Sequence, residues 1–293
     1  MLYSIENEFV KATFASKGAE LQSFILKADN TEYIWQANPT VWGKHAPLLF
    51  PIIGRLKDGE YTFEGQAYQT TQHGFGRDSE FEVLKQTKDS ITFILKPNEF
   101  SVKMYPFAFE LQICYSLEGH SLSKAHTFIN KDSKTLYYEV GGHDGYNICL
   151  EEGEVMEDYY IDFGDLDAIY PLCLDENILI LKDTYKVPLA DGKLLLNMDL
   201  FKKDALMIHN IPVRTVRIKS RKSNREITFA FEDFPTLGIW TKYLDFNTNY
   251  ICLEPWSTLP DCAYLGKEIE EKIDIRKVAA GRQETLKFTV TIQ

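Results

Sequence analysis

Short segments that favour β-strands recur along the chain, and turn residues separate them. Ser90–Leu95 is rich in β-branched and aromatic residues and stops before Pro97, which cannot donate a hydrogen bond within a sheet. Phe107–Leu117 alternates apolar and polar residues, turns at Glu118-Gly119, and is followed directly by Ser121–Asn130, which predicts a β-hairpin. Because strands do not alternate with helices, a parallel α/β sheet is disfavoured and an all-β sandwich or barrel is predicted.

Further strand predictions reach both ends of the chain, whereas helical patterns are few. Val213–Ser220 and Glu226–Phe231 predict a second hairpin. The other strand predictions are Phe9–Phe14, Ala19–Leu26 and Glu284–Ile292. The segments whose pattern could form short helices are Asn197–Lys203 and Asp261–Glu271. Because no repeat, low-complexity tract or flexible linker interrupts the chain, we expect residues 1–293 to form one domain.

Charge and cysteine usage limit the partners and the compartment. The chain has 43 acidic and 32 basic residues, a formal net charge of −11, whereas nucleic-acid binding requires clustered Lys and Arg. The amino-terminal residues lack the pattern of a signal peptide, and no apolar run is long enough to cross a bilayer. The five cysteines form no CxxC motif, which predicts free thiols in a reducing compartment. We therefore expect a cytoplasmic protein that binds neither nucleic acid nor membrane.

Four short segments place polar side chains among apolar or glycine-rich neighbours. They are Phe50–Arg55, Gln72–Arg77, Val140–Tyr146 and Tyr250–Trp256. Taken singly, Arg55 predicts a structural ion pair, His73 a hydrogen-bonded structural residue, and Glu254 a salt-bridged carboxylate at the end of a buried strand. His143 differs, because three glycines surround it and predict a loop at a strand end with room for a ligand.

Together these segments supply an arginine, two histidines and a glutamate, and this set has two chemical interpretations. His73, His143 and Glu254 could form a His₂Glu zinc site. Alternatively, histidine and glutamate could move protons without a metal, as general acid and general base. The three potential ligands have no short spacing between them, which favours proton transfer over zinc. Asp144 would raise the pKa of the neighbouring His143 if it lay close and was ionised.

The same segments, together with others that occur between them, resemble the aldose 1-epimerases (galactose mutarotases), especially the branch called LacX-like. The matching stretches extend over nearly the whole chain: Lys17–Leu21, Glu32–Gln36, Ala46–Arg55, His73–Arg77, Tyr105–Phe107, Gly141–His143 and Glu254–Trp256. The resemblance implies a large antiparallel β-sandwich, the galactose mutarotase-like supersandwich, with an open cleft that holds a sugar. It also implies an isomerase that interconverts the α and β anomers of a hexose without a cofactor or metal.

The resemblance implies roles for individual residues. His143 matches the family's general acid, which protonates the ring oxygen, and Glu254 matches the general base, which takes the proton from the C1 hydroxyl. Arg55 and His73 match residues that bind sugar hydroxyls and the ring oxygen. A family aspartate also binds sugar, and Asp204 is the candidate for that position.

Three residues depart from the family pattern. Where the family commonly has proline after the acid histidine, and phenylalanine two positions further, this chain has Asp144 and Tyr146. Gly76 stands where alanine is usual. These changes leave the catalytic residue types intact, but they leave the identity of the sugar open. A charged Asp144 would disfavour a phosphorylated sugar nearby, because like charges repel.

Three alternatives to a mutarotase remain open at the level of sequence. The first is a sugar-binding or sensing protein on the same scaffold, since a fold does not determine a function. The second is a hexose-6-phosphate epimerase, in which Arg55 and Arg77 hold the phosphate through bidentate guanidinium contacts. The third is a zinc hydrolase.

Overall fold

Antiparallel β-strands make up most of the protein, and the computed structural model describes all 293 residues. The strands, numbered in chain order, are β1 Leu2–Glu6, β2 Val10–Ala15, β3 Leu21–Leu26, β4 Thr31–Glu32, β5 Leu48–Leu49, β6 Glu60–Phe63, β7 Gln66–Gln69, β8 Glu82–Gln86, β9 Ser90–Leu95, β10 Phe109–Glu118, β11 Ser121–Asn130, β12 Leu136–Tyr138, β13 Gly141–Gly142, β14 Asp144–Asn147, β15 Tyr159–Asp162, β16 Ala168–Ile169, β17 Leu172–Leu174, β18 Ile180–Thr184, β19 Val187–Pro188, β20 Lys193–Leu195, β21 Leu206–His209, β22 Thr215–Ser220, β23 Glu226–Ala230, β24 Thr236–Trp240, β25 Tyr250–Trp256, β26 Arg276–Val278 and β27 Gln283–Ile292.

Two large sheets form the main layers of the fold. The nine-stranded sheet has the order β20-β15-β22-β23-β27-β11-β10-β9-β8, and the six-stranded sheet has the order β21-β24-β25-β13-β5, with β14 also paired to β25. Strands β1 to β4 form a third sheet, and four two-stranded ribbons complete the pairing. Tyr146 of β14 and Phe229 of β23 meet between the large sheets, with ring centroids 6.1 Å apart. The predicted all-β antiparallel sandwich is confirmed.

Both hairpins predicted from sequence are present. β10 and β11 pair residue by residue from Phe109 opposite Asn130 to Glu118 opposite Ser121. Alternate residues of β10 are buried, as the alternation of apolar residues in the sequence requires when one face of a strand meets the core. The second hairpin pairs β22 with β23. A hydrophobic core of 65 buried residues draws on the chain from Ile5 to Ile292.

The two helical predictions were largely wrong, since the structure has only short 3-10 turns. These turns are Lys57–Gly59, Gly76–Asp78, Ser101–Lys103, Met156–Asp158, Met198–Phe201 and Ile269–Glu271. The segment predicted as helix over Asp261–Glu271 consists mainly of turns and isolated bridges, and its start bonds to the neighbouring strand β18. Ile180 donates its N–H to the carbonyl of Asp261 and accepts from the N–H of Ala263. No helix has both the length and the apolar character required to cross a membrane.

Strand β25 lies inside the six-stranded sheet and is buried on both faces. Ile251 and Leu253 belong to the main core. Because successive side chains of a strand point to opposite faces, Cys252, Glu254 and Trp256 share the other face. A carboxylate is thus held on the rigid interior of a sheet rather than on a loop.

Candidate active site

One cleft of about 560 Å³ brings together every residue that the sequence analysis proposed for catalysis or substrate binding. Arg55, His73, Arg77, His143, Asp204 and Glu254 all line it. This volume lies within the range of about 300–1,000 Å³ that is usual for small-molecule sites. The residues come from positions between 55 and 254, so the fold rather than the chain brings them together.

His143 and Glu254 face each other across adjacent strands in this cleft. The register of the sheet pairs Gly141 with Trp256 on one side of them and Asp144 with Leu253 on the other. Nε2 of His143 lies 3.4 Å from Oε1 of Glu254, and the two side chains are 11% and 2% exposed. Side chains directly opposite each other on one face of an antiparallel pair are held in contact by the sheet itself.

Burial shifts the pKa values of this pair in opposite directions. Loss of hydration lowers the pKa of His143 from its usual 6.5 to about 3, and the charge of Arg77 adds to this shift. Loss of hydration raises the pKa of Glu254 well above its usual 4.5, and the charge of Asp204 acts in the same sense. Without a ligand, the pair therefore favours one shared proton in the uncharged arrangement, a carboxylic acid beside a neutral imidazole.

The sequence analysis expected the glycines around His143 to leave room for a ligand. In the structure, aromatic side chains fill the space beside two of these glycines instead. A Cβ on Gly141 would lie 2.7 Å from the ring of Trp256, and a Cβ on Gly145 would lie 2.9 Å from the ring of Trp42. Glycine is needed at these positions because the two indole rings occupy the space that a side chain would fill. The cleft is consequently walled by aromatic groups packed against the backbone of β13 and β14.

Tryptophan side chains line the cleft beside the acid–base pair, and the sequence analysis singled out neither Trp42 nor Trp240. Trp42 stacks on the imidazole of His143 with ring centroids 5.0 Å apart and an interplanar angle of 25°. Trp240 meets the same imidazole edge-on, with centroids 5.4 Å apart. No spacing in the sequence links Trp42 or Trp240 to His143, so only the chain's small number of tryptophans could have drawn attention to them.

His73 is held in one orientation by Gly54. The backbone N–H of Gly54 donates to Nδ1 of His73 at 3.1 Å, and the N–H of His73 donates to the carbonyl of Gly54 at 2.8 Å. Because Nδ1 accepts a hydrogen bond, the ring proton resides on Nε2. Burial lowers the pKa of His73 well below 6.5, and the charges of His143, Arg77 and Arg55 add to the effect. His73 is therefore neutral, and its Nε2 lies 3.2 Å from the side-chain amide of Gln72, which also lines the cleft.

A buried ion network holds the loop that carries Arg55. Glu139 accepts the backbone N–H of Ile53 at 2.6 Å, and Asp261 accepts that of Lys57 at 2.9 Å. The ammonium of Lys272 lies between the two carboxylates, 2.9 Å from Glu139 and in direct contact with Asp261.

These bonds bracket Arg55, whose own side chain is exposed in the cleft and forms no ion pair, in contrast to the expectation from sequence. Glu139 and Lys272 lie far from the motif in sequence, and no pattern indicated them.

Cationic side chains outnumber carboxylates along the cleft, although the chain as a whole is acidic. The cations are Lys44, Arg55, Arg77, Lys202 and Lys203, and the carboxylates are Asp204 and Glu254. Three of these cations have carboxylate partners outside the cleft lining: Lys44 and Arg77 each approach Asp78 at 3.8 Å, and Lys202 approaches Asp199 at 2.9 Å.

Asp204 has left-handed backbone geometry, with φ of 81°. Its Oδ1 accepts the N–H of Ala205 at 2.8 Å, which leaves Oδ2 without a bond inside the protein.

Comparison with known proteins agrees with this geometry. The family model described as aldose 1-epimerase matches residues 1–273. The chain belongs to the aldose 1-epimerase family. The chromosomally encoded protein LacX of Lactococcus lactis subsp. lactis is 33% identical over 302 residues, covering all of this chain and 99% of LacX.

Two solved structures from lactobacilli are similar to this aldose 1-epimerase family member over their whole length. One is a galactose mutarotase related enzyme from Lactobacillus acidophilus, with a TM-score of 0.94, 36% identity and coverage of 100% of this chain and 97% of that chain. The other is a galactose mutarotase-like protein from Lactobacillus casei, with a TM-score of 0.93, 31% identity and complete coverage of both chains. The family acts on sugars and belongs to the isomerase class.

Asp144 and Tyr146 face away from the cleft. These are the two residues after His143 in which this aldose 1-epimerase family member departs from the family pattern. Asp144 lies opposite Leu253, and it is paired with Lys124 at 3.5 Å, with both side chains 2% exposed. The hydroxyl of Tyr146 donates to Asp144, and its ring packs in the main core. The pKa of His143 is accordingly lowered by burial, rather than raised by Asp144 as the sequence analysis expected for a close, ionised carboxylate.

Three side chains of types that can bind a metal meet at the acid–base pair, but they are not the set that the zinc interpretation supposed. The ligand atoms of His143, Cys252 and Glu254 all lie within 4.8 Å of one another. His73 is outside this group, so the His₂Glu set considered from sequence is not assembled.

Proposed function

We propose that this protein is an aldose 1-epimerase that interconverts the α and β anomers of a hexose by metal-free general acid–base catalysis. The observation that carries the proposal is the pair formed by His143 and Glu254, 3.4 Å apart inside the cleft. In an aldose, the ring oxygen O5 and the hydroxyl oxygen O1 are bonded to the same carbon. An acid and a base that serve these two oxygens must therefore lie close together, as these two groups do.

In the proposed reaction, His143 donates a proton to O5 while Glu254 accepts the proton of the O1 hydroxyl. The C1–O5 bond breaks and C1 becomes an aldehyde. Rotation about the C1–C2 bond presents the other face of the aldehyde, and reversal of both proton transfers closes the ring. The protein thereby regains its initial protonation. Acid–base catalysis of this kind contributes about 10²–10⁴-fold in rate.

The proton must move within the pair when a sugar binds. The unliganded cleft favours a neutral imidazole beside a protonated carboxyl, whereas the reaction begins from imidazolium and carboxylate. A bound sugar brings hydroxyl groups that can accept from the imidazolium and donate to the carboxylate. These hydrogen bonds favour the charged forms and offset part of the hydration lost on burial.

Four other groups of the cleft are suited to hold the sugar. Nε2–H of His73 and the guanidinium of Arg55 are hydrogen-bond donors for the ring oxygen and hydroxyls, and Asp204 is an acceptor for hydroxyls. Trp42, stacked on His143, offers a flat apolar surface for the C–H face of a pyranose ring. These assignments complete a site with donors, acceptors and a stacking surface around the acid–base pair.

Polarimetry on freshly dissolved α-glucose and α-galactose tests the proposal. We expect the purified protein to accelerate mutarotation of at least one aldose, and Glu254→Gln to remove most of the acceleration while sugar binding, measured by calorimetry, persists. Glu118→Gln is the control, because Glu118 is an exposed carboxylate at the β10–β11 turn. No acceleration for any of a broad panel of aldoses, or an unchanged rate in Glu254→Gln, would overturn the proposal.

The cationic lining of the cleft favours a second candidate, a hexose-6-phosphate epimerase with the same chemistry. Arg55 and Lys203 line the cleft without an ion-pair partner and could bind a phosphate. Comparison of kcat/KM for glucose and galactose with that for their 6-phosphates distinguishes the two. A preference for the phosphates that is lost in Lys203→Gln would favour this candidate, whereas a preference for the free sugars would exclude it.

A further inference from the structure

Cys252 is a buried nucleophilic group that the proposed reaction does not use. It is fully buried, and it packs with Trp35 and Tyr250 in a small hydrophobic cluster. All five cysteines of the chain are free thiols, so no disulfide explains its position. It precedes Glu254 by two residues on β25, which places both side chains on the same face of the sheet.

The register of the sheet brings Cys252 to the acid–base pair. Gly145 lies opposite Cys252, and His143, two residues before that glycine, lies opposite Glu254. His143 and Cys252 are therefore diagonal neighbours on one face of an antiparallel pair. The ligand atoms of the three residues lie within 4.8 Å of one another, and each residue is at least nine-tenths buried, with exposures of 9%, 0% and 2% for His143, Cys252 and Glu254.

We propose that His143, Cys252 and Glu254 form a binding site for a thiophilic divalent cation such as Zn²⁺, and that occupation of this site inhibits the enzyme. The inhibitory part rests on the proposed function, because it requires His143 and Glu254 to be the proton-transfer groups. The binding part rests on the three side chains alone.

The donor set and its geometry suit zinc. Thiolate, imidazole and carboxylate are its usual ligands, and tetrahedral zinc with bonds of about 2.0–2.3 Å holds its ligand atoms about 3.3–3.6 Å apart. Nε2 of His143 and Oε1 of Glu254 already lie at 3.4 Å. Three protein ligands leave the fourth position of the metal open toward the cleft.

Charge balance also permits binding beside the cationic side chains of the cleft. Coordination removes the proton of the thiol and leaves the carboxylate ionised, so two anionic ligands offset the two charges of the metal. The hard cation Mg²⁺ has no comparable preference for sulfur and is the matched negative control.

Inhibition follows from the atoms that the metal would occupy. Coordination uses the lone pair of Nε2 of His143 and an oxygen of Glu254, and these are the atoms that give and take protons in the proposed reaction. A metal ion held there prevents both transfers.

Cobalt binding tests the site without reference to catalysis. Titration of the whole protein with Co²⁺ should produce the near-ultraviolet absorption of a cobalt–thiolate bond, and Zn²⁺ should displace it. Cys252→Ala should abolish the band, whereas Cys262→Ala, which truncates another buried cysteine outside the cluster, should retain it. If Cys252→Ala does not fold, Cys252→Ser nearly preserves the side-chain size and still removes the sulfur that the band requires. Absence of the band from the wild-type protein, or its persistence without Cys252, would overturn the proposal.

Zn²⁺ titration of mutarotase activity tests the consequence. We expect inhibition that EDTA reverses, no effect of Mg²⁺, and at least about tenfold weaker inhibition of Cys252→Ala when each protein is compared with its own rate in EDTA, since loss of a ligand weakens metal affinity. Activation by Zn²⁺, or equal inhibition of both proteins, would contradict the inhibitory role. A protein that shows the cobalt band but no mutarotation in EDTA would instead contradict the proposed function.

Discussion

Nε2 of His143 lies 3.4 Å from Oε1 of Glu254, because the two residues are direct cross-strand neighbours on β25 and on the chain between β13 and β14. A sheet maintains such a distance more rigidly than two loops could. Because the pair is buried and in close contact, protonation of one residue affects protonation of the other, and this determines how activity depends on pH.

The first prediction concerns the pH dependence of the wild-type enzyme. A second proton enters the pair only near the lowered pKa of His143, about 3, and the last proton leaves only above the raised pKa of Glu254. Since activity requires one proton on the pair, kcat/KM should stay level from about pH 5 until the pH approaches the raised pKa of Glu254. Stopped-flow polarimetry across this range measures it. A single ionisation near 6.5 would show instead that His143 titrates as an exposed imidazole.

The second prediction concerns Arg77, whose charge helps burial to lower the pKa of His143 and His73. Replacement by an uncharged side chain, Arg77→Met, should raise the pKa of His143 and move the acid limb of the profile to higher pH. Arg77→Lys keeps the charge and should leave the limb in place. An NMR titration of the histidine ring nitrogens reports the shift directly, and identical titrations in the two variants would contradict the assignment.

The third prediction concerns Lys272, which joins the buried carboxylates of Glu139 and Asp261 on either side of Arg55. Lys272→Met leaves both carboxylates without their cation and should reduce the free energy of unfolding by about 3–5 kcal/mol. In the protein that remains folded, KM should rise more than kcat falls, because Arg55 loses its fixed position.

Lys267→Met is the control for this prediction. Lys267 pairs with Asp58 and Glu60 in the same region but is 28% exposed. We expect Lys267→Met to reduce the free energy of unfolding by less than about 1 kcal/mol and to leave KM unchanged. If Lys272→Met behaved in the same way, the buried network would have no part in positioning Arg55.

The fourth prediction concerns His126, which is completely buried between Phe234 and Phe288 and whose ring nitrogens make no hydrogen bond of normal geometry, although the backbone of Leu286 lies close by. His126→Leu removes a buried polar group without a partner and should increase the free energy of unfolding at pH 7.5 by about 1–3 kcal/mol. Urea denaturation measures this difference.

The same comparison at lower pH tests the protonation of His126. Burial lowers its pKa well below 6.5 in the folded protein. Below pH 6.5 the unfolded chain therefore binds a proton at His126 that the folded protein does not bind. Well below this pH, the free energy of unfolding of the wild-type protein falls by about 1.4 kcal/mol for each pH unit because of this group. Between pH 6.5 and pH 5.5, the difference in free energy of unfolding between His126→Leu and the wild-type protein should increase by about 1 kcal/mol, because the unfolded histidine is only half protonated at pH 6.5. A gap that stays constant would mean that His126 is protonated in the folded state.

Much of the fold could be predicted because its signals are local. Alternation of apolar residues over Ser121–Asn130 and the turn before it are properties of consecutive residues, and the hairpin that they predict is present. The helix predicted over Asp261–Glu271 was wrong because a distant strand, β18, supplies hydrogen bonds to its backbone. Local pattern carries no information about such a partner.

For the candidate site, too, part could be predicted from the sequence and part only from the tertiary structure. Residue types alone left metal ligation and structural roles open, and the resemblance to the aldose 1-epimerases pointed to His143 and Glu254 as a pair with Arg55, His73 and Asp204 around them. Arg77 entered only as a possible phosphate ligand. Only the tertiary structure decided which neighbours act on the pair. Asp144 is adjacent to His143 in sequence but lies on the opposite face of the sheet, whereas Cys252 is distant in sequence and lies on the same face. The reason is that successive side chains of a strand point to opposite faces of the sheet, so neighbours in sequence are separated. The register between two distant strands then decides which of their residues meet on one face, and a shift of that register by one residue would exchange the faces.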